Sequence, residues 1–149
     1  TLSSSSAASD VYKRQDVLSA RSALGIFPEG TRSKRTEAPL LLPGKTGVAR
    51  LAASYPETIV MPIALNGTRE MMSPQTHKLP RLWKPIHINI GKGITWMEWL
   101  EDPKGGNTSV EDLKSLKEQD EHEIKARLAS LYRKFTDQLM SSISELGAP

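Results

Sequence analysis

A chain of 149 residues with 38% hydrophobic and 5% aromatic side chains holds one domain at most, or part of one, around a modest core. Its net charge of +3 favours anionic partners such as phosphates or an acidic membrane face, and falls short of the basicity of a nucleic-acid binder. The absence of cysteine rules out a disulfide framework and a thiolate metal site.

Residues 1–15 stand apart from the rest. A serine run from Ser3 to Ser6 is followed by a stretch with no clean periodicity. This reads as a foreign tail outside the fold, or else as a natural disordered one. The domain is therefore expected to occupy residues 16–100 with its front half lying upstream, and residues 101–149 to form a linker and a helical extension. Residues 16–23 suit the end of a helix. Leu24 to Phe27 is a short apolar run, read as the end of a buried strand.

Pro28 stops that strand, because it has no N–H for a ladder. Gly30 permits a positive φ, so the chain can fold back. The turn then presents the Thr31 and Ser33 hydroxyls, free backbone N–H groups and the Arg32 guanidinium. Such donors suit a phosphate: a nest of N–H groups, with an arginine able to grip two oxygens. The plainer reading is a polar turn, with Arg32 in water and Glu29 as its casual partner.

Ser33 to Pro43 reads as loop, with Leu40, Leu41 and Leu42 folded onto the core or facing lipid or an acyl chain. Gly44-Lys45-Thr46-Gly47 has the look of a nucleotide-binding loop, but Pro39 stands where that pattern needs its first glycine. A helix from Thr46 to about Ser54 is expected instead, with Val48, Leu51, Ala52 and Tyr55 as its apolar stripe.

Ile59 to Leu65 reads as a central strand covered on both faces, locally broken at Pro62. Arg69 to Trp83 is irregular, a core-covering loop or a Met- and Trp-bearing edge for acyl chains or a membrane. Ile86, Ile88 and Ile90 alternate with His87 and Asn89 as a half-buried strand closed by Gly91 and Gly93. Trp96 and Trp99 form an apolar anchor one helical turn apart. Thr108 to Glu111 suits a capping box. From Glu121 a long amphipathic helix places Ile124, Leu128, Leu131, Phe135, Leu139 and Ile143 on one face, pairs Glu123 with Arg127, and ends at Gly147.

Phe27-Pro28-Glu29-Gly30-Thr31-Arg32-Ser33 resembles the phosphate-binding block of the glycerolipid acyltransferases, most closely the 1-acylglycerol-3-phosphate (lysophosphatidate) acyltransferases. The glycine- and lysine-bearing turn, the alanine-rich helix and Pro62 continue the likeness, in detail from about Gly25 to Thr68. The resemblance implies an α/β fold, a mainly parallel or mixed sheet flanked by helices. It implies transfer of an acyl group from acyl-CoA or acyl-carrier protein to lysophosphatidate, at the cytoplasmic face of a membrane. Glu29, Gly30, Thr31 and Arg32 would hold the substrate phosphate, with Arg32 foremost and Glu29 orienting it or an upstream basic residue; Ser33, Lys34, Arg35 and Lys45 are second-rank.

The family's catalytic pair is a histidine followed five residues on by an aspartate. Here His77, His87 and His122 are followed at that distance by Leu82, Lys92 and Arg127. The chain is therefore expected to carry the phosphate-binding part without the catalytic base, and to be inactive alone. No metal pair or bound cofactor is expected. The alternative is a non-catalytic phospholipid- or phosphate-binding module; a third reading is a helical interaction protein built on residues 121–144.

Overall fold

The computed structural model describes residues 16–20, 22–71, 81–116 and 120–149. The expected tail, His77 and the 72–80 part of the irregular stretch lie outside them.

The organising element is the C-terminal helix, designated α5, which runs 25 residues from Glu121 to Glu145. Asp120 caps it by accepting from the His122 N–H, and the chain leaves it at Gly147, φ +92°. The stripe seen in the sequence is the face that packs: Leu131, Phe135, Leu139 and Ile143 are buried, while Ile124 and Leu128 at the free end are half-buried. The expected Glu123–Arg127 pair does not form. Glu121 pairs with Lys125 instead, and Arg127 donates to the Thr108 hydroxyl.

Three elements lie against α5. Helix α1, Gly47–Ser54, buries Ala49 and Ala52, two small side chains that allow close approach. Of the expected stripe, Ala52 is buried and Val48 packs on the core while Leu51 and Tyr55 are half-buried, and Ala49 and Ala53 join the inward face. The reason is the partner, since alanines set the distance to α5 and larger residues flank them.

Strand β1, Ile63–Asn66, pairs antiparallel with β2, His87–Ile90, setting Ile63 against Ile90 and Leu65 against Ile88. Ahead of it, Val60 bridges to Ile94. Pro62 interrupts the ladder as expected, offering only its carbonyl, to the Gly91 N–H at 2.9 Å.

Helix α3, Trp96–Glu101, follows the short helix α2, Thr68–Met71. Trp96 and Trp99 are buried, with centroids 5.2 and 5.0 Å from the Phe135 ring. The Trp99 indole N–H finds Gln138 at 2.6 Å. Helix α4, Val110–Leu116, completes the described chain. Its capping box is Ser109 with Asp112, one residue later than expected, because the buried Thr108 hydroxyl donates to the Gly106 carbonyl.

The sheet departs most from expectation. Among the described residues it has two antiparallel strands, not a mainly parallel array. Residues 24–27 form no strand; Leu24 and Ile26 are half-buried and Phe27 is 75% exposed. Nor is β1 covered on both sides. Ala64 is buried towards α5, and Asn89 reaches the Leu146 carbonyl. On the other face Ile63, Ile88 and Ile90 are exposed, joined by Ile59, Met61 and Ile86. An apolar run shows that a strand wants burial, but covering two faces needs two layers, and α5 supplies one.

The caps carry a pH signature. Thr95 and Glu98 form a capping box at α3, and the Thr95 N–H and hydroxyl hold the Glu98 carboxyl below its ordinary 4.5. Bonds from Ser109 lower Asp112 similarly. Both folded-state values are depressed, so their contribution is full above the ordinary carboxylate range and is lost as pH falls through the lower folded values. Urea unfolding from pH 6 to 3 will show stability declining on the acid side. Thr95→Val will flatten part of that decline; an unchanged slope would remove Glu98 from the account.

Candidate functional site: the turn at residues 27–35

The block folds as a tight turn closed by the Gly30 N–H donating to the Phe27 carbonyl at 3.0 Å. Gly30 takes φ +67°, the left-handed conformation that glycine adopts most readily. Its N–H is thereby spent, so what Gly30 offers is backbone shape and, in place of a side chain, room for a neighbouring one. Beyond it, the N–H groups of Thr31, Arg32 and Ser33 have no protein partner among the described residues.

Glu29 does not hold Arg32. Its carboxylate accepts from the Leu42 N–H at 2.7 Å and ties the turn to the leucine loop. That contact explains a glutamate here: it satisfies a half-buried amide that no strand reaches. Arg32 is exposed, with no hydrogen bond or ion pair among the described residues. Lys34 is likewise exposed.

Arg35 is a structural arginine. It donates to the carbonyls of Pro39 at 3.0 Å and Leu41 at 2.9 Å, holding the loop closed, while its own N–H meets the Ser33 hydroxyl at 3.3 Å. Leu41 packs on the core, as the first of the two loop readings required.

Arg69, which the sequence did not single out, brackets the turn from α2. It donates to the carbonyls of Arg35 at 2.7 Å and Ser33 at 3.1 Å. Its place after the Asn66-Gly67-Thr68 turn gave no sign of this, because backbone carbonyls leave no mark in a residue pattern.

Lys45 arrives from the other side. Its N–H donates to the Pro28 carbonyl at 2.8 Å, and its side chain lies over Gly30: a Cβ placed on that glycine would stand 2.9 Å from Lys45 Cδ and 3.0 Å from Nζ. The turn thus gathers Arg32, Lys45 and a row of free N–H groups on a scaffold pinned by Glu29, Arg35 and Arg69.

Gly30, Thr31 and Arg32 are exposed at this turn. Concave regions lined by α5 residues contain none of Glu29, Gly30, Thr31 or Arg32. No group of acidic, histidine or cysteine side chains able to hold a metal occurs among the described residues. The described histidines, His87 and His122, are exposed and lie on β2 and at the start of α5.

No curated protein and no solved structure matches the chain. Residues 3–66 match the Acyltransferase family model, a span that takes in the whole turn, α1 and β1, and that supports a general acyl-transfer function.

Proposed function

We propose that the chain serves acyl transfer to lysophosphatidate, and that the turn at residues 27–35 holds the phosphate of that acceptor. The observation that carries this reading is the Arg32 guanidinium, free of any described protein partner, beside the open N–H groups of Thr31, Arg32 and Ser33. A phosphate monoester is close to a dianion at neutral pH and offers three acceptor oxygens. Arg32 grips two of them in its planar fork, and the N–H groups and the Thr31 hydroxyl take the third. Glu29 acts at one remove, by anchoring the turn.

The donor in this reading is acyl-CoA or acyl-carrier protein. The acceptor's free hydroxyl attacks the thioester carbonyl, the thiolate leaves, and phosphatidic acid is formed. A general base must take the hydroxyl proton. No histidine of this chain has an aspartate five residues on, so the chain supplies phosphate binding, and turnover by these 149 residues alone is expected to be nil.

The reaction belongs at the cytoplasmic surface of a membrane, where the acceptor resides. Leu82, 79% exposed, and Trp83, 77% exposed, support contact with lipid. No helix among the described residues is long and apolar enough to cross a bilayer.

The test is a titration of the isotopically labelled chain with short-chain lysophosphatidate and with the monoacylglycerol of the same chain length. Saturable shifts of the Thr31, Arg32 and Ser33 amides with the phosphorylated ligand alone are expected. Equal responses to both ligands would mean that no phosphate is being read.

A further inference from the structure

We infer that Lys45 is a second cation of this anion site, and that the C-terminal helix sets its position through Arg133; the inference rests on the phosphate reading of the turn. Lys45 is attached to the turn twice, by its N–H on the Pro28 carbonyl and by its side chain lying across Gly30. The ammonium has no ion-pair partner among the described residues. It lies over the one residue of the block with no side chain, where a Cβ would have to displace it. The missing Cβ at Gly30 therefore both permits the left-handed turn and opens the block to a second positive charge.

The residue before Lys45 is what α5 holds. Arg133 donates from Nη1 to the Gly44 carbonyl at 2.9 Å. Asp137, one helical turn on, orients that guanidinium through Nε at 3.0 Å and through Nη2. Gly44 itself lies so close to the helix that a Cβ there would stand 2.8 Å from both Met140 Cγ and Thr136 Cγ2. Just upstream, the Leu41 N–H donates to the Pro149 carbonyl at 3.0 Å. The loop that delivers Lys45 is thus clamped to the helix and to the chain's last residue, and the position of the ammonium follows from that clamp. Arg133 is a positioning residue: it acts through Lys45 and does not touch the ligand.

The experiment titrates sn-glycerol 3-phosphate into the labelled full chain, following the Thr31 and Arg32 amides, with Arg32→Ala as reference. Lys45→Met will weaken binding about tenfold, as loss of one charge-assisted contact does, and Lys45→Arg will restore most of it. Arg133→Gln will cause a loss of similar size that disappears in the Lys45→Met background. A merely structural defect would persist there. Where Arg133→Gln fails to fold, Asp137→Asn, which keeps the Gly44 contact, replaces it with a smaller loss of the same dependence. Wild-type affinity in Lys45→Met, with Arg32→Ala impaired, overturns the inference and leaves the phosphate site standing. A Lys45 effect with additive Arg133 loss overturns the role of the helix. Absence of binding to the unaltered chain removes the phosphate site and this inference together.

Discussion

Replacing Arg32 by alanine will lower the affinity of the chain for lysophosphatidate by about 10- to 100-fold, from the roughly 1.5–3 kcal/mol of hydrogen bonding to a charged group. Arg32→Lys will recover only part of this, because an ammonium keeps the charge and loses the two-pronged geometry. The side chain is exposed and engaged by no described partner, so the substitution leaves nothing unpaired in the fold and the melting temperature should stay put. That separation makes the test clean: binding moves and stability does not. The loss will also shrink as salt is raised, since an exposed cation is screened. Calorimetric or amide-shift titrations that give the alanine variant wild-type affinity would take Arg32 out of the site and, with it, the reason for assigning a phosphate to this turn.

The largest expected effect on stability lies far from the turn. Phe135→Ala removes a ring that is 2% exposed and is set edge-on to Trp99 and tilted against Trp96. Truncations of this kind cost about 3–5 kcal/mol, against a total of about 5–15 kcal/mol for a whole domain. Thermal unfolding should fall by about 10–20 °C. Trp83→Ala deletes a larger ring that is 77% exposed, and it should move the midpoint by little, within about 0.5 kcal/mol. The contrast isolates burial from side-chain size. Should the two variants melt alike, α5 is not the wall of the core. Because Arg133 and Phe135 share that helix, Phe135→Ala at temperatures near its midpoint should also lose phosphate binding, and Trp83→Ala should not.

Much of the helical part could be read ahead of the structure because helices carry their instructions locally. The 3.6-residue stripe from Ile124 to Ile143, an acidic start and a terminal glycine place α5 with almost no reference to the rest of the chain. The same holds for the tryptophan pair of α3 and for the positive φ at Gly30, a property of one residue type. The helix caps were legible to within one position: Thr108 and Ser109 are chemically alike, and only the Gly106 carbonyl and Arg127 decide which hydroxyl is free to cap.

The candidate site was half legible. Glu29 to Arg32 could be singled out by resemblance, yet the contacts that each makes in the fold could not. Glu29 and Arg35 look like site charges in sequence and turn out to be fastened to backbone groups of the leucine loop. Arg69 lies in an unremarked turn and turns out to brace the block. Lys45 sits fifteen residues past Gly30 in a pattern that suggests a different kind of loop, yet its side chain lies over that glycine, next to a Gly44 that α5 holds through Arg133.

The order of residues alone determined the extents of α1 and α5, which stripe of α5 is apolar, and where the backbone turns at Gly30, because each depends on neighbours within a few positions; the short helix α2 and the cap of α4 did not follow from it. Strand partners, strand direction, the open isoleucine face and the roles of the arginines were settled by tertiary structure. Those depend on which groups distant in the chain meet, and backbone carbonyls, which decide most of them here, are the same at every residue.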